Sequence, residues 1–358
     1  MPEAVQEAVS DAAWVRAMLE AEATLAAAQA AEGVISAEAA EAVAEACRGD
    51  FDARELAVAG RAAANPVVPL VARLRELAPH AHHGATSQDI LDTAAALVTA
   101  RALTLTIEHL DGAVSGCARL ADAHRATRMA GRTLMQQAQP ITFGLKAAGW
   151  MNALAEARAA LMTADLPAQL GGATGTLSGP GGPAVLAGFA ERLDLDTPGL
   201  PWHGNRVPIA DLAMSLALAA GTAEKVALDI VLLAQNEVGE VAEASKGGRG
   251  GSSAMAHKRN PVGAIRARAA ARSVRGAVSV LLEAMAGEHE RAAGAWQSEW
   301  GALSTALAGT GGAAWSLREA LEGLTVDPER MAANAEGLPG ELDMETVNTL
   351  IDRALELE

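Results

Sequence analysis

The sequence predicts an all-α protein built on a bundle of long helices. Hydrophobic residues make up 50% of the 358 positions, yet aromatic residues account for only 3% and tyrosine is absent. Alanine and leucine supply the difference, and both are strong helix formers, whereas the β-branched and aromatic residues that favour strands are scarce. Several proline-free stretches also carry apolar residues at helical spacing. We therefore expect helices that pack side by side around one core.

Three domains are expected along the chain. Residues 1–88 carry shorter helical patterns and form an N-terminal helical domain. Residues 89–326 hold the long helices of the central bundle, and residues 327–358 form a short C-terminal remnant. Between two bundle helices, residues 168–208 are rich in glycine and proline and predict an irregular connection. The run GGATGTLSG in this connection has no β-α-β pattern around it, so we expect no nucleotide site there.

Five long helices are predicted in the central bundle, over residues 89–127, 141–166, 209–245, 262–287 and 290–322. A helix of about 35 residues is roughly 50 Å long, at about 1.5 Å per residue. The apolar faces of such helices are too long to be buried within one small globule. We therefore expect part of these faces to be buried against other copies of the chain, in a homo-oligomer.

Charge and cysteine content limit the classes of partner. The formal net charge of −16 argues against nucleic acid and against an anionic membrane surface as partners. The N-terminal residues show no signal-peptide pattern, and no apolar run approaches the roughly 18 residues that a membrane span requires. Cys47 and Cys117 lie far apart in helical patterns, and we expect reduced thiols. The sequence thus predicts a cytoplasmic protein that binds no nucleic acid and no membrane.

Polar side chains gather at the starts of three predicted helices, and the first cluster precedes the first long helix. Thr86, Ser87 and Asp89 are residue types that cap helices. Thr-Ser-Gln-Asp nevertheless offers more hydrogen-bond donors than capping uses, so Thr86, Ser87 and Gln88 are candidate substrate-binding residues. Capping alone is the alternative. The histidines here, among them His82, have no acidic or cysteine partner at ligand spacing, so no metal site is expected.

The second cluster precedes the second long helix. Arg132, Thr133, Gln136 and Gln137 gather in an otherwise apolar region, and Pro140 stands near the expected helix start. The hydroxyl of Thr133 and the amides of Gln136 and Gln137 are candidate substrate ligands. An ordinary loop between two helices is the alternative interpretation of this stretch.

The third cluster is the glycine-rich segment over residues 247–261. Its glycines give the candidate ligands Ser252 and Ser253 the freedom to close over a substrate. Lys258 and Asn260 lie just before a proline, a residue favoured at the first position of a helix. A helix start that carries a lysine and an amide is suited to bind an anion. A flexible surface loop before a helix is the alternative.

If the three helix starts converge, they form a site for a substrate with several carboxylates. Arg206 is a candidate fourth contact, because a guanidinium pairs with a carboxylate through two hydrogen bonds. A solvated surface arginine is the alternative there. The expected partner is a small polycarboxylate substrate, and we expect neither a metal nor a cofactor.

The third cluster resembles a motif of the fumarase/aspartase superfamily. That superfamily carries a loop of the form Gly-Ser-Ser-x-Met-Pro-x-Lys-x-Asn-Pro, and this chain has GSSAMAHKRNP over residues 251–261. Within the superfamily, four other segments look most like the 3-carboxy-cis,cis-muconate cycloisomerases: HHGATSQDILDT, GRTLMQQAQPITFG, PWHGNRVPIADLA and ERAAGAWQSEW. The resemblance covers roughly residues 10–332.

The resemblance implies a homotetramer on a long central helix bundle, with each active site built from the three clusters of three different subunits. Ser252 matches the serine that exchanges a proton with the carbon next to a carboxylate, and Lys258 and Asn260 match carboxylate-binding residues. A substrate clamp of hydroxyl and amide groups matches Thr86, Ser87 and Gln88. His82 matches a histidine seen in many relatives, and Thr133 matches the threonine of the second motif.

Three departures from the superfamily pattern affect what the resemblance implies. Ala256 replaces the usual loop proline, so we expect a more mobile loop before closure. Leu134 and Gln137 stand where relatives carry histidine, so an imidazole acid from this motif is missing. The small C-terminal helical domain of many relatives is expected to be truncated in this chain.

The missing imidazole counts against adenylosuccinate and argininosuccinate lyases, whose amine leaving groups need a proton. The resemblance therefore implies lactonisation of 3-carboxymuconate to 4-carboxymuconolactone, in protocatechuate and β-ketoadipate degradation, with Ser252 delivering the proton to carbon. Two alternatives stay open at this point: a β-eliminating lyase that releases fumarate, and a bundle protein that has lost its activity.

Overall fold

Long helices carry the fold, as the apolar periodicity predicts. The computed structural model describes residues 2–244, 250–251, 255 and 258–356. The helices are α1 (Glu3–Ala8), α2 (Asp11–Ala31), α3 (Ala37–Cys47), α4 (Ala53–Gly60), α5 (Val67–Leu77), α6 (Ser87–Ala123), α7 (Phe143–Met162), α8 (Pro183–Leu193), α9 (Val207–Leu233), α10 (Val262–Glu283), α11 (Ala295–Glu322), α12 (Pro328–Asn334) and α13 (Met344–Leu355). The strands are β1 (Arg128–Thr133), β2 (Gln136–Thr142), β3 (Val241–Glu243) and β4 (Leu324–Val326). The all-α prediction is confirmed, apart from these short strands.

Helices α6, α7, α9, α10 and α11 pack against one another as the central bundle. Helix α6 contacts α7 and α11, while α9 contacts α7, α10 and α11. Alanine fills much of the interior, where its small side chain and high helix propensity both suit tightly packed helices. The large, fully buried side chains of the core include Leu110, Phe143, Met151 and Ile230.

The two ends of the bundle are built differently. At the end that we call the hairpin end, β1 and β2 form an antiparallel hairpin between α6 and α7, and β3 pairs antiparallel with β4. The starts of α7 and α10 also lie there. At the opposite end, the starts of α6, α9 and α11 are joined through Asp92, Arg206 and Glu299, and we call it the network end. Because α6 has 37 residues, it separates the two ends by about 55 Å, at about 1.5 Å per residue.

One of the predicted long helices is too long. The prediction of a helix over residues 209–245 is wrong in its last part, because α9 ends at Leu233 and the chain turns through Gly239 into β3. Gly239 has a φ of +65°, a left-handed conformation that glycine adopts without a steric penalty. The following residue, Glu240, is fully buried and accepts two hydrogen bonds from Arg132. These contacts hold the exit from α9 against the hairpin.

Segments predicted as irregular contain regular structure. The connection over residues 168–208 includes α8, which packs against α2. The second polar cluster, which was expected just before a helix, forms the β1–β2 hairpin, with Leu134 and Met135 in its turn. Near the C-terminus, α12 contacts β1, and α13 packs on α7.

Among the described residues, one helix is long and apolar enough to pass a test for membrane spans. Helix α6 has a mean hydropathy of 1.5 over an 18-residue window, although charged residues such as Arg101 interrupt its apolar runs. However, 72% of that window is buried inside the protein, because α6 lies between α2, α7 and α11. This burial is typical of the core helix of a soluble protein.

Candidate active site

The start of α6 is fixed by one buried carboxylate. Asp89 accepts hydrogen bonds from the backbone N–H groups of Thr86 (2.9 Å), Gly171 (2.8 Å) and Gly172 (2.9 Å). Its Oδ1 also lies 2.7 Å from Nε2 of the buried His203. A carboxylate that accepts this many bonds holds three separate segments together. The glycine-rich connection therefore supports the start of α6.

The first cluster lies beside a cation that sequence reasoning missed. Arg291 donates a hydrogen bond to the hydroxyl of Thr86, and the half-buried Ser87 is the first residue of α6. This place thus combines the positive end of a long helix dipole with two hydroxyls and a guanidinium. Such a combination is suited to bind a carboxylate. His82 lies in the same segment, and its Nδ1 is 2.6 Å from Oε1 of Glu22. The segment ERAAGAWQSEW contains Arg291, but its spacing alone did not indicate this contact.

Arg206, a predicted substrate ligand, pairs with two carboxylates of its own chain, and its contact with substrate stays a prediction. The guanidinium is 4% exposed and donates to both oxygens of Asp92 and both oxygens of Glu299. Gln88 is also fully buried, and its Nε2 donates to Asp92 and to the carbonyl of His203, each at 3.1 Å. Both residues stabilise the network end, where their donors already have partners.

Burial and ion pairing have opposite effects on the pKa values of the charged groups in this network. Burial raises the pKa of Glu299 above its ordinary value, and the hydrogen bond and charge of Arg206 offset only part of that effect. Burial also disfavours the charge of Arg206, but Asp92 and Glu299 outweigh burial and raise the pKa of its guanidinium. The guanidinium therefore remains charged and joins α9 to both α6 and α11.

The second cluster lies on an exposed hairpin. Thr133 and Gln136 pair across the turn and are both exposed, and the Nε2 of Gln137 donates to a backbone carbonyl of α12 at 3.0 Å. The turn residues Leu134 and Met135 have φ values of +51° and +66°, the pattern of a type I′ turn that usually contains asparagine and glycine. They are 96% and 73% exposed. The hairpin thus presents polar and apolar side chains away from its own bundle.

The third cluster lies partly outside the described residues, and Ser252 and Ser253 belong to the part outside. Lys258 is exposed, and Asn260 donates from both its backbone N–H (2.9 Å) and its side-chain amide (3.2 Å) to the carbonyl of Gly250. The side-chain amide of Asn260 thus has a partner within its own loop. Whether it also binds substrate remains a prediction.

The start of α10 is not the open anion site that the sequence predicts. Helix α10 begins at Val262, so Pro261 is its N-cap rather than its first residue. The carboxylate of Glu243 accepts hydrogen bonds from the N–H groups of Gly263 (2.9 Å) and Ala264 (2.8 Å). A carboxylate of the protein itself therefore occupies this helix start, in agreement with the preference of helix N-termini for negative charge.

A single chain does not bring the three clusters together. The first cluster lies at the network end, whereas Thr133, Gln136, Gln137, Lys258 and Asn260 lie at the hairpin end. The 37 residues of α6 hold these groups about 55 Å apart. No group of three histidine, cysteine, aspartate or glutamate side chains that could hold a metal occurs in the part of the chain that the structure describes.

Comparison with known proteins identifies the family. Residues 3–276 match the Lyase family. The chain is 46% identical to a nitrosuccinate lyase of Streptomyces davaonensis, over 97% of this chain and 78% of that protein. It is 40% identical to a 3-carboxy-cis,cis-muconate cycloisomerase of Bradyrhizobium diazoefficiens, over 96% of this chain and 79% of that protein.

A solved structure shares the architecture described above. The 3-carboxy-cis,cis-muconate lactonizing enzyme from Pseudomonas putida superimposes with a TM-score of 0.87 at 35% sequence identity, covering 99% of this chain and 85% of that one. The helix bundle, the match to the Lyase family and these relatives agree with the motifs at the helix starts. This chain is therefore an enzyme of the fumarase/aspartase superfamily of lyases.

Proposed function

We propose that this enzyme lactonises 3-carboxy-cis,cis-muconate to 4-carboxymuconolactone, as a cytoplasmic homotetramer without a cofactor. The observation that carries this choice over release of an amine is the turn of the β1–β2 hairpin: no side chain from Thr133 to Gln137 titrates near neutral pH. An amine leaving group would need an acid at this place. Lactonisation does not need one, because a carboxylate attacks in one direction and leaves as an anion in the other.

The donors of the two bundle ends suit the charges of this reaction. A carboxylate oxygen of the substrate adds to the conjugated double bond, and negative charge then collects on the carbon next to another carboxylate. Donors aimed at the resulting enediolate are usually the largest contribution to catalysis. Lys258, Arg291 and the hydroxyl of Thr86 have the chemistry for this task. Ser252 delivers the proton to carbon, as its motif predicts.

The proposed site needs several copies of the chain, because its ligands lie at opposite ends of one bundle. An antiparallel arrangement would bring the hairpin end of one copy beside the network end of another. A groove of about 660 Å³ between α7 and α9, lined by Trp150 and Leu218 among others, supports such packing. Met214 and Leu218 of α9 are 56% and 53% exposed, and exposed apolar patches often mark protein interfaces.

A second candidate is elimination from nitrosuccinate, which the 46% identity to a nitrosuccinate lyase favours. Its leaving group, nitrite, is a weakly basic anion that departs without a proton. The hairpin without an acid is thus compatible with both reactions, but not with release of an amine. The two substrates differ in their number of carboxylates, which are three in carboxymuconate and two in nitrosuccinate.

A side-by-side assay tests the substrate. The enzyme is given 3-carboxymuconate, nitrosuccinate and adenylosuccinate, and diene absorbance, nitrite and fumarate are followed. We expect loss of diene absorbance with 3-carboxymuconate at a kcat/KM at least tenfold above that for the other two. Preferential release of nitrite would transfer the assignment to the second candidate, and turnover of adenylosuccinate alone would refute both.

Complementation between variants tests the shared site. A Thr86→Val variant is defective at the network end, and a Lys258→Met variant is defective at the hairpin end. Each is expected to be nearly inactive alone, whereas mixed tetramers, formed by unfolding and refolding the two together, regain turnover. Mixtures that stay as inactive as their parents would contradict a site shared between subunits.

A further inference from the structure

A buried carboxylate of α2 lies against the ring of His82. Oε1 of Glu22 is 2.6 Å from Nδ1 of His82, and the two side chains are 0% and 10% exposed. An ionised carboxylate can only accept a hydrogen bond, so Nδ1 carries the hydrogen and Nε2 remains available on the other edge of the ring. The other oxygen of Glu22, Oε2, is buried and has no hydrogen-bond partner among the described residues.

The same face of α2 holds the backbone beside this histidine. Gln29 lies two helical turns after Glu22 and donates to the carbonyls of His83 (2.8 Å) and Pro180 (2.9 Å). His82 itself has a φ of +60°, which is unusual for a residue with a side chain. Such backbone strain persists only where surrounding contacts enforce it, and it occurs often at functional sites. The contacts of α2 thus determine both the position and the hydrogen-bonding edge of the ring.

The other charged and titratable groups around Glu22 and His82 do not compete for the hydrogen bond between them. Arg75 of α5 donates to the backbone carbonyl of His82 at 3.4 Å, not to its ring. Burial, together with the charge of Glu22, raises the pKa of the Cys47 thiol to about 12, so this thiol carries no charge at neutral pH. Two further imidazoles of the same segment lie with ring centroids 6.3 Å apart, those of His80 and His83.

We propose that Glu22 is a positioning residue that fixes the Nδ1–H form of His82, so that Nε2 of His82 holds the proton exchanged in the reaction. The chemistry of this inference rests on the proposed function. The hairpin carries no imidazole, and a serine hydroxyl is a weak acid. Imidazole is the side chain that ordinarily exchanges a proton with water near neutral pH. A carboxylate that orients a histidine in this manner is a familiar feature of acid–base catalysis.

The proton balance of lactonisation requires such a group. A carboxylate lone pair forms the new carbon–oxygen bond, and the π electrons of the attacked double bond move to the carbon next to the neighbouring carboxylate. That carbon then takes up one proton, so each turnover consumes one proton overall. Ser252 delivers this proton to carbon. In our proposal the imidazolium of His82 returns a proton to the serine, becomes neutral, and is reprotonated by water. In the reverse direction, and in an elimination, neutral Nε2 accepts the proton.

Glu22→Gln tests the proposal, because it keeps the shape of the side chain and removes the charge that fixes the ring. We expect kcat to fall at least tenfold and the pH profile of kcat to shift, on whichever of the three substrates the wild type turns over. In [¹⁵N]histidine-labelled protein without substrate, the NMR signals of the His82 ring should change from the Nδ1–H form to a mixture. His82→Gln identifies these signals.

Gln29→Leu is the matched control, since it removes a neutral contact of the same helix face to the same segment. It should lower the melting temperature and leave the pH profile unchanged. The double variant Glu22→Gln/His82→Gln should be no less active than His82→Gln alone, because Glu22 acts only through the ring. An unchanged ring form in Glu22→Gln would overturn the proposal. The NMR measurement can be made even if none of the three substrates is turned over.

Discussion

The network end and the hairpin end both carry predicted substrate ligands, yet they hold them in opposite ways. At the network end, Asp89 and Arg206 join several neighbouring segments through buried, charged hydrogen bonds. At the hairpin end, the turn at Leu134 and the side chain of Lys258 are exposed. One end is therefore already organised within a single chain, whereas the other presents exposed side chains.

This difference separates two kinds of residue that look alike in sequence. Arg206 and Gln88 are both predicted to bind substrate, and in the structure both stabilise the end of the bundle. Thr133 and Gln136 were expected on the same grounds, and they remain exposed. Substitutions of the buried Arg206 and Gln88 should therefore change stability first, and substitutions at the hairpin end should change activity or assembly first.

The largest effect on activity is expected from Ser252→Ala in the loop of the hairpin end. Loss of the proton carrier should reduce kcat by about 10²–10⁴-fold, while tetramer mass and melting temperature stay unchanged. Steady-state kinetics and analytical ultracentrifugation measure these quantities. Ser253→Ala serves as the control and should mainly raise KM. A Ser252→Ala enzyme with wild-type kcat would refute the role of this serine.

The largest effect on stability is expected from Arg206→Met at the network end. The substitution leaves Asp92 and Glu299 as neighbouring buried carboxylates without their partner, which typically costs about 3–5 kcal/mol. Urea unfolding of the variant measures this loss. Arg275→Met removes an arginine whose side chain is 51% exposed and should cost less than about 1 kcal/mol. Equal losses in the two variants would erase the distinction between the two ends.

A smaller effect is expected from Leu134→Asn combined with Met135→Gly in the hairpin turn. These residues favour the left-handed conformation that the turn already has, so the melting temperature should stay the same or rise. If another copy covers the turn, loss of the two apolar side chains should weaken the tetramer. Sedimentation at decreasing protein concentration measures this change. An unaltered tetramer would show that the turn lies outside the interface.

The smallest effect concerns Glu224 of α9, which pairs with Arg275 of α10 between the ends. Its hydrogen bond to Arg275 lowers the pKa of Glu224 below the ordinary 4.5. A carboxyl with a lowered pKa stabilises the folded protein fully above pH 4.5. This contribution to the free energy of unfolding is lost as the pH falls through the folded-state pKa. Glu224→Gln should therefore differ from the wild type by under about 1 kcal/mol at pH 7. The difference should vanish once the pH is below the folded-state pKa of Glu224, as urea unfolding at decreasing pH would measure.

Local patterns account for what the sequence predicts correctly. Thr86 and Asp89 identify the start of α6 because their capping bonds span only three residues. The start of α10 is displaced by only one residue from the position that Pro261 indicates. Periodic apolar residues likewise predict the bundle helices, since burial of one helix face needs no knowledge of distant segments.

Contacts between distant residues explain what the sequence does not predict. Arg206 lies 114 residues from Asp92 and 93 residues from Glu299, and nothing in their spacing indicates that they pair. The hairpin is equally hidden, because Leu134 and Met135 replace the asparagine and glycine that usually mark its type of turn. Arg291 at the hydroxyl of Thr86 belongs to the same class of contact.

The close approach of two glycines has a consequence for the substrate ligands. A methyl group on Gly84 would lie 2.1 Å from the carbonyl group of Gly179, a distance at which the two backbones must separate. Because Thr86 follows two residues later and its N–H is bonded to Asp89, that displacement would travel along the main chain to the start of α6. An alanine at position 84 would thus impair the enzyme without touching any atom of the substrate.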